Sequence, residues 1–204
     1  MTQTTPPRPP RSARHAASKE RPLPGGAPFG MAVFLASLGA VFVSTLVGYA
    51  YVRLDAREWP PAGAPPLPPT LWLSTLLLLL SSATIHAAVV GAREGRQARV
   101  RAGLAATAAL GLAFLASQAL CWQALAASMP PTTPTQYSFT FYMLTALHAV
   151  HVVGGLGPLG VATARGWRGR YGPEERTGLT LVAMYWHFLD AVWVALFGAV
   201  YLVG

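Results

Sequence analysis

Residues 139–155 read FTFYMLTALHAVHVVGG, a stretch that is apolar enough to lie in a membrane yet carries two histidines three residues apart. A second stretch of the same character, MYWHFLDAVWVALF at 184–197, carries a histidine and an aspartate at the same spacing. Residues at i and i+3 share one face of a helix. Two facing helices would therefore bring four polar groups together inside hydrocarbon. The four side chains are His148, His151, His187 and Asp190.

The composition of the whole chain agrees with a membrane protein. Of its 204 residues, 53% are apolar and only 11% are charged, whereas an ordinary soluble domain carries about 25% charged residues. The net charge of +8 would also fit a nucleic-acid-binding protein. The arginines, however, stand in short clusters between apolar runs, so nucleic acid is not an expected partner. The single cysteine, Cys121, excludes an internal disulfide.

Five apolar runs are long enough to cross a bilayer, whose core of about 30 Å needs roughly 20 helical residues. We therefore predict an all-α fold, a bundle of five transmembrane helices that forms one membrane domain over residues 28–204. Residues 1–27 form a basic, proline-rich tail that we expect to be disordered, because it buries too little apolar surface to fold. The predicted spans are about 29–52, 71–91, 102–127, 137–164 and 177–203.

The distribution of basic residues predicts the orientation of the bundle. Three regions, all on one side of a five-span arrangement, hold 13 of the 15 basic residues. The positive-inside rule then places the N-terminus in the cytoplasm and the C-terminus outside. The basic residues on the predicted inner side are Arg8, Arg11, Arg14, Lys19, Arg21, Arg93, Arg96, Arg99, Arg101, Arg165, Arg168, Arg170 and Arg176.

The third run carries a small residue at every fourth position. Such a stripe allows a second helix to approach closely, and we predict a helix-packing face there. The alternative is that the stripe only reflects the abundance of alanine in this run. In neither case does it carry chemistry. The stripe consists of Ala105, Ala109, Ala113, Ser117 and Cys121.

The four polar groups of the last two runs allow several functions. A carboxylate in the middle of a membrane helix costs roughly 2.5–3.5 kcal/mol on insertion scales, so we expect Asp190 to face protein. Haem ligation by facing histidines, a zinc or non-haem iron site and a proton relay are all compatible with the residue types. We favour an interhelical hydrogen-bond clamp that fixes the register of the last two helices. His86 in the second run lies nearer the membrane surface, and we assign it no chemistry.

These stretches resemble subunit III of the haem-copper oxidases, the cytochrome c and quinol oxidase superfamily. TALHAVHVVGG is similar to that family's HxxHVxxG segment, and YWHFLDAVWVALFGAVYL to its YWHFVDxVWxxLFxxxYL segment. GMAVFLAS, the WPP loop and LWLSTLLLLLSSATIHAA follow the family's order along the chain. The last-span motif consists of Tyr185, Trp186, His187, Phe188, Asp190 and Trp193.

The resemblance implies the short, five-helix bacterial form of subunit III, located in the inner membrane. It implies an accessory subunit that packs against subunit I, together with subunit II, and holds phospholipid in a cleft. In such a subunit no residue is catalytic and none binds haem, copper or another cofactor, so the midplane polar cluster would be structural. The alternatives are a related accessory subunit of a nitric oxide reductase, a bis-histidine membrane cytochrome and an ion or proton transporter.

The chain departs from the family pattern at two acidic positions. Leu38 stands where the family often has the glutamate of its first-span SE pair, and Cys121 stands for the glutamate of its third-span QxxE pattern. Losing both carboxylates puts in doubt a role in collecting protons. The packing role does not depend on them.

Overall fold

A computed structural model describes residues 26–132 and 135–202. Within those ranges the chain forms five α-helices, each long and apolar enough to cross a membrane, which confirms the predicted fold class. In chain order they are α1 (Gly26–Asp55), α2 (Thr70–Arg93), α3 (Gln97–Ala126), α4 (Gln136–Trp167) and α5 (Thr177–Leu202).

The predicted spans agree with the helices to within a few residues at each end. The largest difference is at the start of α3, because Gln97 to Arg101 continue the helix beyond the apolar run. At the N-terminus the helix begins at Gly26, so the last two residues of the predicted tail are helical. The prediction of disorder for residues 1–25 lies outside the described residues.

The helices pack unequally. The α2–α3 pair makes the most extensive contact. Helix α4 packs on α3, α5 packs on α2, and α4 and α5 pack on each other. Helix α1 lies at the edge, against α5 and a small part of α4. Most of α1 is exposed, with only Phe42 and Tyr49 buried. The core is therefore built mainly by the last four helices, and α1 contributes Phe42 and Tyr49 to it.

A tight turn and a close backbone approach hold α2 against α3. Gly95 adopts a φ of +70°, the left-handed region that glycine enters without steric cost, so the chain reverses within three residues. Arg99 pairs with Glu94 at 3.1 Å on the exposed side of this turn. One turn further, a Cβ atom added at Gly103 would lie 2.7 Å from the carbonyl oxygen of Thr84. Only glycine permits this separation of the two backbones.

The predicted small-residue stripe of α3 is wrong as a single packing face. Ser117 and Cys121 are buried and Ala113 is half-buried, but Ala105 and Ala109 are exposed. The reason is geometric: at 3.6 residues per turn, each step of four residues advances about 40° around the helix. Five such positions span about 160°, so the first members of the stripe turn away from the bundle.

The face of α3 that does pack begins two residues earlier. Gly103, Thr107 and Gly111 are buried there, and a Cβ added at Gly111 would lie 2.9 Å from the indole of Trp186. The small-residue principle therefore holds for α3, but with a different set of residues.

The two connections that carry the arginines lie at one end of the bundle, which we call the arginine-rich end. The side-chain amide of Gln97 in α3 donates to the carbonyl of Tyr171, which lies between α4 and α5. Arg101 donates to the carbonyl of Gly166 at 3.4 Å and lies 5.9 Å from the ring centroid of Trp167. These contacts fasten the α4–α5 connection over the start of α3.

Candidate functional site

The two tryptophans of the α5 motif donate hydrogen bonds to hydroxyl groups of α2. Trp186 Nε1 donates to Ser81 Oγ at 2.8 Å, and Trp193 Nε1 donates to Thr75 Oγ1 at 3.0 Å. Both indoles are 1% exposed. Each α2 hydroxyl donates its own proton to a carbonyl of its helix, which leaves its oxygen lone pairs to accept from the indole. Both bonds are therefore complete without water.

The histidine of the α5 motif also faces α2. His187 Nδ1 lies 2.7 Å from Ser82 Oγ, and its ring centroid is 6.2 Å from that of His86. Ser82 is also the polar neighbour of Asp190. The two oxygens of Asp190 make no hydrogen bond of standard geometry within the described residues, although the side chain is only 5% exposed.

The histidines of α4 have a different environment. His148 is fully buried, with its ring centroid 5.6 Å from Phe114 and 5.1 Å from Trp193. Neither of its ring nitrogens has a hydrogen-bond partner in the described part of the chain. His151 is half-buried, and its Nδ1 lies 2.7 Å from the carbonyl oxygen of Leu147 in the same helix. His148 therefore acts here as a packed ring.

The expected hydrogen bonds among the four polar groups are therefore wrong. His187 faces α2, and among the described side chains no hydrogen bond joins His148, His151, His187 and Asp190 to one another. The spacing within each helix fixes a shared face, but the rotation of the helix decides which neighbour that face meets. Helices α4 and α5 are joined instead by Tyr185, whose hydroxyl donates to the carbonyl of His151 at 2.9 Å.

Hydroxyl groups of α2 also bond to α3, a feature that the sequence analysis missed. Ser74 Oγ lies 2.6 Å from Ser117 Oγ and accepts from Gln118 Nε2 at 2.9 Å. A signal was present in the sequence, because the α2 hydroxyls repeat at a seven-residue spacing on two adjacent helix positions. Hydroxyls at this spacing stay on nearly the same face of a helix. The repeating residues are Ser74 and Ser81, and Thr75 and Ser82.

Many of the polar side chains described here, although not His148 or Asp190, thus connect one helix to another. Within the described residues no group of three or more histidine, cysteine, aspartate or glutamate side chains lies close enough to hold a metal ion. Interhelical hydrogen bonds of this kind contribute on average about 0.6 kcal/mol each in membrane proteins. Taken together, those of α2 fix its position against α3 and α5.

A second feature is an apolar cavity of 560 Å³ between α1, α4 and α5. Its wall includes Phe34, Gly154 and Pro158, and at the arginine-rich end it reaches Arg165 and Tyr171. Burial raises the pKa of the Tyr171 hydroxyl above its usual value, although Arg165 opposes this effect. The hydroxyl is therefore protonated at neutral pH and available as a donor at the mouth of the cavity.

The sequence as a whole matches one known family. The family described as cytochrome c oxidase subunit III matches residues 14–204. The chain belongs to the cytochrome c oxidase subunit III family. It is 32% identical over 180 residues to cytochrome c oxidase subunit 3 of a Synechocystis strain, covering 86% of this chain and 75% of that protein. Its identity to the Thermostichus vulcanus protein of the same name is 30% over 175 residues, or 85% and 86% of the two chains.

A mycobacterial relative is similar to this chain to the same degree. The protein called probable cytochrome c oxidase subunit 3 of Mycobacterium tuberculosis is 32% identical over 178 residues, which cover 85% of this chain and 86% of that protein. These matches confirm the resemblance to subunit III of the haem-copper oxidases. They do not favour the nitric oxide reductase alternative or a free-standing cytochrome.

At the two positions where the family pattern has a glutamate, this chain has packed, uncharged side chains. Leu38 packs, half-buried, against the core, and Cys121 is fully buried in α3. One helical turn before Cys121, the glutamine of the same family pattern is present, and Gln118 bonds to Ser74 of α2. The departures therefore replace acids with packing residues.

Proposed function

We propose that this chain is the accessory subunit III of a cytochrome c oxidase complex and that it braces the catalytic subunit without a catalytic centre of its own. Membership of the subunit III family supports the assignment to the complex. The observation that supports the bracing role is that three nitrogen-bearing side chains of the α5 motif bond to hydroxyl groups of α2. Trp186, His187 and Trp193 use their nitrogen atoms to hold helices together.

We also propose the membrane in which the chain lies and its orientation there. The partners are subunits I and II, which contain the haem and copper of a proton-translocating oxidase in aerobic electron transport. The membrane is the bacterial plasma membrane. The arginine-rich end lies in the cytoplasm, so the N-terminus is inside and the C-terminus outside, because basic residues are retained on the cytoplasmic side.

We also propose that the cavity between α1, α4 and α5 holds phospholipid. Its wall is apolar along most of its length, which suits an acyl chain. Arg165 and the protonated Tyr171 hydroxyl stand at one end, where a phosphate can accept charge-assisted hydrogen bonds. An acyl chain in the cavity would pack α1, which contacts few residues of the bundle, against α4 and α5.

Purification through an affinity tag on this chain tests the assignment. The expected result is that subunits I and II are retained and that a reduced-minus-oxidised spectrum shows their haem. The chain produced without its partners should show no sharp alpha band. An alpha band from the isolated chain would support the bis-histidine cytochrome and contradict the proposal. Failure to retain a haem-bearing subunit from native membranes would also contradict it.

Native mass spectrometry of the purified chain tests the lipid site. Gly154 lines the cavity and a side chain there meets no atom within 4 Å, so Gly154→Leu should fill the cavity and reduce phospholipid retention. Gly157→Leu is the matched control, because that glycine also has open space around it and is not among the lining residues. Equal retention in the two variants would contradict the site.

A further inference from the structure

Asp190 is an acidic side chain that the bundle encloses. It is 5% exposed, and neither of its carboxyl oxygens has a hydrogen-bond partner of standard geometry within the described residues. Its polar neighbour is the hydroxyl of Ser82 on α2. The oxygen of that hydroxyl also lies 2.7 Å from Nδ1 of His187, one turn earlier on α5. Three side chains of two helices therefore form a row, from the carboxyl group through the hydroxyl to the imidazole.

Hydrogen bonds along this row can run in two directions. The Ser82 hydroxyl has one proton and therefore donates once. If it donates to the carboxylate, Asp190 is ionised and Nδ1 of His187 carries a proton that it donates to Ser82. If it donates to Nδ1, the imidazole proton is on Nε2, and the carboxyl group is itself a donor to Ser82. The protonation of Asp190 and the tautomer of His187 therefore depend on each other.

The surroundings of the carboxyl group decide between these directions. An ionised carboxylate offers about four lone-pair positions to donors, and the single Ser82 proton could fill one of them. Asp190 also forms no ion pair within the described residues, where the ion pairs involve Glu94. A buried charge without a counter-ion or enough donors is costly, and such a group is normally neutralised instead. A neutral carboxylic acid has one proton to donate, and Ser82 can accept it.

The histidines of the bundle do not supply a counter-charge to the carboxyl group. His187 contacts Ser82 through Nδ1, and its ring centroid lies 6.2 Å from that of His86 on α2. On α4, neither ring nitrogen of His148 has a partner in the described part of the chain. The Nδ1 atom of His151 lies 2.7 Å from a carbonyl oxygen of its own helix.

The other charged side chains of the five helices are remote along the helix axes from the middle of α5. All of them lie within two turns of a helix end, whereas Asp190 is near the middle of its helix. The neutral state of the carboxyl group therefore rests on enclosure without a partner of opposite charge. The charged residues near the helix ends are Arg53, Asp55, Arg93, Arg99, Arg101 and Arg165.

We propose that Asp190 is a neutral carboxylic acid that donates its proton to Ser82, and that the Ser82 hydroxyl in turn donates to Nδ1 of His187. The proton of the His187 ring is then on Nε2. This series of hydrogen bonds joins the middle of α5 to α2 without placing a charge inside the bundle. The inference does not depend on the proposed function, because it follows from the contacts of this chain alone.

The protonation of Asp190 can be measured because the chain contains only two aspartates, Asp55 and Asp190. The full chain is produced with aspartate that carries a heavy carbon isotope in its side-chain carboxyl group and is reconstituted in lipid bilayers. Infrared spectroscopy at neutral pH then separates the aspartates from all other carboxyl groups. Asp55 is exposed at the end of α1 and serves as the carboxylate reference. We expect an isotope-shifted carboxylic acid band, which Asp190→Asn should remove and Asp55→Asn should leave in place.

Solid-state nuclear magnetic resonance with isotope-labelled histidine nitrogens tests the direction of the hydrogen bonds. The signals of His187 are identified as those lost in His187→Gln. The expected tautomer has an unprotonated Nδ1 and a protonated Nε2. Asp190→Asn keeps a donor for Ser82 and should leave this tautomer unchanged. Ser82→Ala removes the donor to Nδ1 and should shift the Nδ1 signal.

Three results would overturn the inference. Carboxylate bands alone from both aspartates would show that Asp190 is ionised. A proton on Nδ1 of His187 would show that the hydrogen bonds run in the opposite direction. An acid band that appears only after sodium and potassium are removed would show that the carboxylate binds a metal cation in place of the proton. None of these results affects co-purification with a haem-bearing subunit, so the proposed function is tested separately.

Discussion

The α4 and α5 motifs carry the same kind of residue at the same spacing, but the fold uses them differently. In α5, His187 bonds to a hydroxyl of α2 beside two tryptophans that do the same. In α4, His148 lies among aromatic rings without a hydrogen-bond partner in the described residues. Position on a helix therefore determines which residues share a face. What they contact depends on whether the facing helix offers hydroxyls or rings.

The largest loss of stability is expected at Trp193, which contacts both a hydroxyl of α2 and the ring of His148. Trp193 bonds to Thr75 through its indole nitrogen and packs its ring against His148. Trp193→Ala should therefore lower the free energy of unfolding by about 3–5 kcal/mol, the usual cost of truncating a buried aromatic residue. An SDS unfolding titration of the full chain in mixed micelles measures this change.

The matched control for that measurement is Trp167→Ala. This indole is 59% exposed at the end of α4, so its removal should change the free energy of unfolding by less than about 1 kcal/mol. Equal losses of unfolding free energy in the two variants would show that the buried contacts of Trp193 do not contribute more to stability than the exposed position of Trp167.

The close approach of α4 to α5 should give the next largest effect. A Cβ at Gly155 would lie 2.7 Å from Cε1 of Tyr185, the residue that bonds to the carbonyl of His151. Gly155→Ala should therefore destabilise the chain by about 1–3 kcal/mol, as overpacking does elsewhere. Gly154→Ala is the control, because a side chain there has open space. If the two variants unfolded alike, the contact between these helices would be looser than the structure indicates.

The sequence predicted the fold well because the fold depends on long apolar runs, which are a property of composition. The number of helices and nearly all of their ends follow from the lengths of these runs and from the loops between them. The site was harder to predict, because it depends on how each helix is rotated. The spacing of His148 and His187 did not predict that His187 would contact Ser82. Residues at every fourth position, such as Ala105 and Ala109, rotate progressively around the axis of α3 and do not stay on one face.

Replacing each histidine by leucine sharpens the comparison between the two motifs. His187→Leu removes the hydrogen bond between His187 and Ser82 and should cost about 0.5–1.5 kcal/mol of unfolding free energy, the net contribution of a typical hydrogen bond. His148→Leu substitutes an apolar side chain where no hydrogen bond is lost, so it should be neutral or slightly stabilising. The same SDS titration compares them. A greater loss of unfolding free energy from His148→Leu would contradict the assignment of His187 as the hydrogen-bonding histidine and His148 as a packed ring.

The smallest change in stability is expected at the exposed residues of the α3 small-residue stripe. Ala109 is exposed, so Ala109→Leu should change the free energy of unfolding by no more than about 0.5 kcal/mol. Ser117→Leu, at a buried position that contacts Ser74, should be clearly destabilising. The pair separates the face of α3 that packs from the face that does not, and equal effects would restore the stripe as a single face.

In this structure the α5 motif holds the bundle together through the hydroxyls of α2. A double-mutant cycle with Trp186→Phe and Ser81→Ala measures this directly, with unfolding free energy as the readout and a cycle with His148→Leu and His187→Leu as the control. We expect a coupling energy of about 0.6–1.7 kcal/mol between Trp186 and Ser81, the range found for interhelical hydrogen bonds in membranes. We expect additive effects for the two histidines. Additivity for Trp186 and Ser81, with coupling between the histidines instead, would contradict a stabilising role of the α2 hydroxyls.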